Sequence, residues 1–214
     1  EVDLDYVQVV GGTGTETKRT YFTGSLAVHD GIVNMKNCSF VDGIAADGIN
    51  LKYSKVMLQD NYFKGSLSDG VDLDFCSGRV IHNHFEKTGG DGLDLSGSDV
   101  DIIDNLVQNS EDKGISIGER TVARVRRNRM LDCVSGIAVK DGSEATIEEN
   151  TVGRVQVGLA LYVKKPVFGP GKLNLRDFYL YDVQAPFVVE DGFETTVESV
   201  KYFREKSKVT PRSS

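Results

Sequence analysis

The stretch SDGVDLDF at residues 68–75 predicts the fold because its pattern returns at a constant interval. In it a glycine precedes a short strand whose apolar side chains alternate with aspartates. Six such tetrapeptides begin 22 residues apart: GINL at Gly48, GVDL at Gly70, GLDL at Gly92, GISI at Gly114, GIAV at Gly136 and GLAL at Gly158. A repeat of roughly 20 to 50 residues is typical of a solenoid of stacked coils.

A column of asparagines accompanies the glycines. Its members are Asn61, Asn83, Asn105, Asn128 and Asn150, and Cys38 occupies the same place one coil earlier. Asparagine tolerates the left-handed backbone of a sharp bend, and its amide can bond the same amide in neighbouring coils. We therefore predict one buried amide ladder at the turn between the second and third strands of each coil.

Each coil is predicted to contain three short strands. The alternation in the first strand places Val71 and Leu73 inside and Asp72 and Asp74 outside. The repeat shows no helical periodicity. Two inward stacks follow: Ile49, Val71, Leu93, Ile115, Ile137 and Leu159, and beside them Leu51, Leu73, Leu95, Ile117, Val139 and Leu161.

The ends of the chain follow the repeat less closely. SLAVHD at 25–30 and PFVVED at 186–191 match the first strand, and KKPVFGPGK at 164–172 is expected to be a protruding loop. The stretch TTVESVKYF is expected to close the stack. We predict a single domain over residues 1–200 and a polar tail over 201–214. Because the first residues already suggest a strand, we expect a fragment of a longer protein with further domains.

Composition excludes several function classes. The chain has 214 residues and a formal net charge of −7, which argues against nucleic acid as a partner. No apolar run approaches the roughly 18 residues that a membrane span needs, so no membrane insertion is expected. Cys38, Cys76 and Cys133 lack metal-ligand spacing and are expected to be free and buried. His82 and His84 are expected to be a solvated pair.

The basic stretch RTVARVRRNR at 120–129 is interpreted as part of an ion-pair ladder. Stacking by coil places Arg124 against Asp101, and Arg126 and Arg127 against Glu148 and Glu149. Opposite charges on neighbouring strands stabilise each other modestly, so a site for a polyanion is the less favoured interpretation.

Acidic residues on the outward side of the first strands are confined to three adjacent coils. The three outward columns are Asn50, Asp72, Asp94, Ser116, Ala138, Ala160; Lys52, Asp74, Ser96, Gly118, Lys140, Tyr162; and Asp47, Asp69, Asp91, Lys113, Ser135, Val157. Stacked like charges destabilise a sheet unless a cation neutralises them, and several carboxylates suit calcium. We therefore expect Asp69, Asp72, Asp91 and Asp94 to converge on one calcium ion, with Asp47, Asn50 and Asp74 at the rim.

Turn chemistry is the alternative explanation for part of this acidity. Asp-Gly pairs favour turns, which accounts for Asp47, Asp69 and Asp91. It does not account for the strand positions Asp72 and Asp94, where aspartate is disfavoured.

The repeat and the asparagine column together resemble the right-handed parallel β-helix of the pectate-lyase-like superfamily, an all-β solenoid with about 22 residues per coil. SDGVDL is similar to the DDGxDL stretch of calcium-dependent pectate lyases, in which acidic residues bind calcium and a lysine acts as the base. The resemblance implies such roles for Asp69 and Asp72, although Ser68 replaces the first acidic position. Lys113 is the candidate base and Lys52 its alternative.

Other β-helix families fit the sequence in different degrees. DKGISIGE and GIAVKD are similar to β-helix regions that accompany CotH-type surface proteins. The acid–proline–histidine–acid stretch of mannuronan epimerases and the aspartate and glycine–histidine pattern of polygalacturonases are both missing from the sequence.

Two functions remain open at this point. The first is a secreted or cell-surface domain that binds carbohydrate, such as a cell-surface polymer, or another partner through a face that also binds calcium. The second is a polysaccharide lyase or glycoside hydrolase acting on an acidic polysaccharide, with Asp72, Asp94 and Lys113 as candidate catalytic residues. Few aromatic side chains lie near the predicted face, only Tyr53, Phe75 and Tyr162, which disfavours the enzyme.

Overall fold

The computed structural model describes residues 1–203 and shows a parallel β-solenoid. In chain order its first strands are β1 (Val2–Asp5), β2 (Gln8–Val10), β3 (Thr15–Thr17), β4 (Thr20–Phe22), β5 (Gly24–His29), β6 (Ile32–Lys36), β7 (Ser39–Val41), β8 (Asp47–Lys52), β9 (Lys55–Gln59), β10 (Tyr62–Lys64), β11 (Val71–Asp74), β12 (Ser77–Ile81) and β13 (His84–Glu86). The later strands are β14 (Leu93–Ser96), β15 (Asp99–Ile103), β16 (Leu106–Gln108), β17 (Lys113–Gly118), β18 (Val122–Arg126), β19 (Arg129–Leu131), β20 (Ser135–Lys140), β21 (Glu144–Glu148), β22 (Thr151–Tyr162), β23 (Lys172–Arg176), β24 (Phe178–Val189), β25 (Glu194–Val197) and β26 (Val200–Phe203).

Each strand pairs in parallel with its equivalent one coil away, which confirms the predicted fold class. The second strands form a nine-stranded sheet that runs from β1 to β25. The first and third strands form one fifteen-stranded sheet, because the long strands β22 and β24 each supply both positions of a coil without interruption. The antiparallel hairpin of β3 and β4 is the exception to parallel pairing in the described chain.

The interior is filled by the two predicted stacks. Val71 pairs in register with Ile49 and Leu93, and all twelve predicted stack residues are at most 1% exposed. Phenylalanines form a third stack, in which the ring of Phe63 lies 5.6 Å from that of Phe40 and 5.1 Å from that of Phe85. Burying each such side chain stabilises the fold by roughly 1.5–3 kcal/mol. The predicted register is therefore correct.

The asparagines are buried in a continuous hydrogen-bonded row. Side-chain amides donate to Oδ1 of the next asparagine from Asn61 to Asn83 at 2.9 Å, Asn83 to Asn105 at 3.1 Å, Asn105 to Asn128 at 2.9 Å and Asn128 to Asn150 at 3.0 Å. The backbone amide of Cys38 donates to Oδ1 of Asn61, so Cys38 begins the row. Each amide therefore bonds both a side chain and the backbone of neighbouring coils.

The long insertion packs back on the β-helix and does not protrude freely. Both Lys164 and Lys165 donate their backbone amides to the buried carboxylate of Asp141, at 2.8 and 2.6 Å. The guanidinium of Arg120 lies 5.6 Å from the ring centre of Phe168. The segment thus covers the corner between the first and second strands in two earlier coils.

The C-terminal boundary also differs from the prediction. Residues 201–203, expected to begin the tail, belong to β26, which pairs with β24 and completes the last coil. The rest of the predicted tail, 204–214, lies outside the described residues. Over residues 1–203 no helix is long and apolar enough to span a membrane.

The predicted stacking of the surface charges is confirmed in part. Arg124 is in register with Asp101 and bonds it, and Arg126 is in register with Glu148. Two ion pairs differ from the prediction: Arg127 bonds Asp104 in the preceding coil, and Glu148 bonds Arg176 one coil onward. The two histidines do not form the solvated pair that was predicted. His84 packs on Tyr62 with a buried Nε2, while His82 is exposed between Asp60 and Asp104. The three cysteines are free and buried as predicted.

Candidate functional site

The acidic residues predicted from the repeat lie together on the outward side of β8, β11 and β14. We call this surface the acidic face; it consists of Asp47, Asn50, Asp69, Asp72, Asp74, Asp91 and Asp94. Its central column is in register, with Asp72 between Asn50 and Asp94, and Ser116 next. Parallel strands are about 4.8 Å apart, so these side chains are direct neighbours.

The aspartates along one edge of the acidic face accept hydrogen bonds from backbone amides of the turns. The backbone amide of Asp91 donates to Oδ1 of Asp69 at 2.6 Å, and that of Lys113 donates to Oδ1 of Asp91 at 2.9 Å. Asp47 accepts a longer bond from the amide of Asp69, at 3.4 Å. Turn chemistry therefore accounts for these three aspartates, as the alternative interpretation expected.

The central column is less completely bonded: Asp94 accepts a hydrogen bond from the backbone amide of Leu95 at 3.1 Å, but polar atoms on either side of the carboxylates have no partner among the described residues. Asn50 donates its amide to Oδ2 of Asp72 at 2.7 Å, but its own Oδ1 is buried without a hydrogen bond to any described residue. The hydroxyl of Ser116 is likewise buried and unpartnered within residues 1–203. Unsatisfied buried polar atoms are costly, so their presence on both sides of the carboxylates marks an unusual site.

Burial changes the acidity of this face. Desolvation, reinforced by the charges of Asp74 and Asp47, raises the pKa of Asp72 to about 8. Desolvation also raises the pKa of Asp69 to about 7, with the nearby Asp91 and Asp94 adding to the effect. Burial raises the pKa of Asp47 and Asp91 as well. These shifts favour the protonated form of Asp72 over its carboxylate near neutral pH.

Lysines lie beside the carboxylates. Lys52 contacts Asp74 at 2.8 Å, and Lys113 contacts Asp91 at 3.3 Å. Burial acts to lower the pKa of Lys113, but the charge of Asp91 and the hydrogen bond of Asp112 outweigh it and raise that pKa. Lys113 is therefore held as a cation.

Lys140 is a neighbour that the sequence interpretation did not select. Its Nζ lies 3.9 Å from Oδ1 of Asp94, and its side chain is 9% exposed. It reaches that position by lying over Gly118, where an added Cβ would approach its Cε to 2.9 Å. The sequence feature that could have indicated this contact is Gly118, which lies in the same outward column one coil before Lys140.

The predicted convergence on one cation is not seen. In the described part of the chain, no group of three or more His, Cys, Asp or Glu side chains is placed to hold a metal ion. Lysine ammonium groups contact Asp74, Asp91 and Asp94 individually. The calcium site stays a prediction.

An exposed aromatic pair borders the acidic face. Tyr53 and Phe75 directly follow β8 and β11, and their rings stack 5.1 Å apart at an angle of 8°. They are 62% and 51% exposed, and the ring of Phe75 lies over Gly97 of the next coil. The flat apolar surface is therefore presented to solvent beside Lys52 and Asp74.

The comparison with protein families identifies the fold family. Residues 21–171 match the family described as "Right handed beta helix region", which is more than half of the chain. The chain belongs to this β-helix family. No curated protein matches the sequence significantly.

Solved structures similar to this β-helix domain include polysaccharide-acting enzymes. The periplasmic alginate epimerase AlgG matches with a TM-score of 0.58 at 13% identity, and a mutant of it matches with 0.62 at 13%. In both cases the match covers 94% of this chain and 61% of the other, so the domain spans less than two thirds of the epimerase. A GH87 alpha-1,3-glucanase from Streptomyces thermodiastaticus matches with a TM-score of 0.36 at 10% identity, covering 90% of this chain and 54% of the glucanase. At these identities the epimerase comparison shows a shared fold and no more.

Proposed function

We propose that this β-helix domain binds a polysaccharide along the acidic face, in the periplasm or outside the cell. The observation that supports the proposal is the exposed stack of Tyr53 and Phe75 beside Lys52 and Asp74. The fold shared with a periplasmic alginate epimerase agrees with this setting.

The aromatic stack and the polar groups of the acidic face suit different parts of a sugar unit. A pyranose ring presents C–H groups on its faces and hydroxyls around its rim. Exposed aromatic rings can cover the apolar faces, and carboxyl and amide groups can bond the hydroxyls. Because the stack spans two coils, successive sugar units of one chain can lie across neighbouring strands.

Binding is tested by titration calorimetry with alginate, polygalacturonate and α-1,3-glucan. We expect at least one polymer to bind, and the double variant Tyr53→Ala, Phe75→Ala to lose at least tenfold in affinity. The matched control is Tyr6→Ala, Phe203→Ala, which removes an exposed tyrosine and phenylalanine elsewhere. Absence of binding to all three polymers, or equal losses in both double variants, would contradict the proposal.

Hydrolysis of the bound chain is a second candidate function, favoured by the register of Asp72 with Asp94 on the next strand and by the raised pKa of Asp72. A neutral carboxylic acid can protonate a glycosidic oxygen, and a second carboxylate on the neighbouring strand, Asp94, can complete the pair. We assign Lys113 an electrostatic role here, because its ion pairs keep it protonated and unsuited to act as a base. Release of reducing ends without ultraviolet-absorbing unsaturated ends would support hydrolysis, whereas the appearance of unsaturated ends would indicate a lyase and contradict this assignment.

We also propose that the acidic face attracts calcium. Asp69, Asp72, Asp94 and Asp91, with Asp47 and Oδ1 of Asn50 nearby, supply the hard oxygen donors that calcium prefers. The unpartnered Oδ1 of Asn50 fits this chemistry. When bound, calcium would neutralise the carboxylates, whose stacked charges otherwise repel.

A further inference from the structure

A second pocket lies on the same side of the β-helix, beyond the acidic face. Its volume is about 480 Å³, and its polar lining includes Ser110, Asp132, Arg154, Gln156, Asp182 and Gln184. We call it the carboxamide pocket. Ser110 and Asp132 come from connections between third and first strands, and Arg154, Gln156 and Gln184 come from the equivalent middle parts of the uninterrupted strands β22 and β24. The same connections in earlier coils end at Asp69 and Asp91, so the pocket continues the edge of the acidic face.

Arg154 is rigidly held at this pocket. Its Nε donates to Oδ1 of Asp132 at 2.6 Å, its Nη2 bonds the other carboxylate oxygen, and its Nη1 donates to the hydroxyl of Tyr181 at 2.7 Å. The guanidinium lies 5.5 Å from the centre of the Tyr181 ring, which itself lies over Gly153. Three of the five N–H groups are used, so a preorganised group retains donors for a ligand.

Two glutamines stand side by side in the same lining. Gln156 and Gln184 are exposed, and the register of β22 with β24 places them on neighbouring strands. In residues 1–203 neither side-chain amide has a hydrogen-bond partner. Each amide offers donors and an acceptor at once, which matches hydroxyl groups better than it matches a single charge.

We propose that the carboxamide pocket is a second carbohydrate subsite that takes an uncharged, hydroxyl-rich sugar unit. The charge of Arg154 is neutralised by the bidentate contact with Asp132, so the Arg154–Asp132 pair does not itself select a charged ligand. The inference rests on the proposed function, because it makes the ligand a chain that contacts both the aromatic stack and this pocket. Two linked contacts on one chain raise its affinity without any new contact chemistry.

The test is the dependence of affinity on oligosaccharide length. Calorimetry is carried out with a series from disaccharide to decasaccharide made from α-1,3-glucan, whose units are uncharged, and with matched series from alginate and polygalacturonate, whose units are charged. We expect the affinity of the uncharged series to rise by roughly a hundredfold once the chain reaches both sites, and the charged series to show a smaller rise. The variant Gln156→Ala, Gln184→Ala should lose this rise and bind short oligosaccharides like the parent. The matched control, Gln8→Ala, Gln59→Ala, should keep the rise.

The outcomes separate this inference from the proposed function. If the parent shows no rise with length, or if the Gln156, Gln184 variant keeps the full rise, the second subsite is wrong while binding at the aromatic stack stands. If no oligosaccharide or polymer binds the parent, both proposals are wrong. The two glutamines are exposed, so their replacement should leave the melting temperature unchanged, and this is checked on the same samples.

Discussion

Two polar columns run along this β-helix, and they differ in how their atoms are satisfied. In the asparagine row, the amides of Asn61 to Asn128 each bond the next asparagine and the backbone of a neighbouring coil, and Asn150 ends the row with bonds to the backbone. In the central column of the acidic face, Asn50 and Ser116 keep unpartnered oxygens, and Asp72 has a carboxyl group that burial makes reluctant to ionise.

The asparagine row therefore stabilises the fold, whereas the central column of the acidic face lowers its stability. Buried polar groups stabilise a structure only when fully paired, and the same low dielectric penalises them when they are not. The asparagine row meets this condition along five coils. The acidic column does not, and residues kept at such a cost are characteristic of functional sites.

The largest expected effect comes from breaking the asparagine row. Replacing Asn105 by alanine leaves buried groups of Asn83, Asn128 and the backbone unpaired, so we expect a loss of about 3 kcal/mol in the free energy of unfolding. Urea denaturation measures it. The exposed Asn174→Ala is the control and should change stability by less than about 0.5 kcal/mol. Equal effects of the two substitutions would mean that the row does not stabilise the fold.

Calcium should stabilise the parent protein through the acidic face. At a hundredfold excess over its dissociation constant, a bound ion adds about 2.7 kcal/mol. We expect a higher melting temperature in calcium than in chelator, a smaller rise with magnesium, and no response in the variant Asp72→Asn, Asp94→Asn. Superimposable melting curves of the parent protein in chelator and calcium would exclude the ion from this face.

The comparison is also tested by the pH dependence of stability. The pKa of Asp72 is higher in the folded state, about 8 against an ordinary 3.8, so the folded state binds more protons between these values. The free energy of unfolding therefore falls as pH rises through this window, and Asp69 contributes in the same direction up to about pH 7.

Replacing Asp72 by asparagine should flatten this fall and raise stability at pH 9 relative to the parent protein, with little change at pH 3. Urea denaturation across this range measures it. The exposed Asp191→Asn is the control and should leave the slope unchanged. A parent protein that becomes more stable from pH 5 to pH 9 would contradict the raised pKa.

Periodicity made the architecture predictable from the sequence. A period of two identifies the inward side of each strand, and the constant glycine spacing aligns the coils, so residues such as Val71 and Leu93 could be assigned to the core. The outward columns followed from the same alignment, which is why Asp72 and Asp94 could be placed side by side.

Side chains that cross from one coil to another could not be predicted in this way. Lys140 extends over Gly118 to Asp94, and Arg127 extends back to Asp104. The rotamer of a long side chain depends on the space that neighbouring residues leave. The stacking of Tyr53 on Phe75 depends likewise on the ring orientation at a corner. Strand periodicity contains no information about these directions.

The constant spacing between successive coils determines how far apart the two proposed binding sites lie. Every first strand is displaced from the previous one by a single strand spacing of about 4.8 Å. Inserting one coil of 22 residues between β14 and β17 would move the carboxamide pocket away from the aromatic stack by that increment and leave both intact. On the proposal that one chain contacts both sites, the number of coils determines the distance between them, and the oligosaccharide length at which both are reached should change in discrete steps.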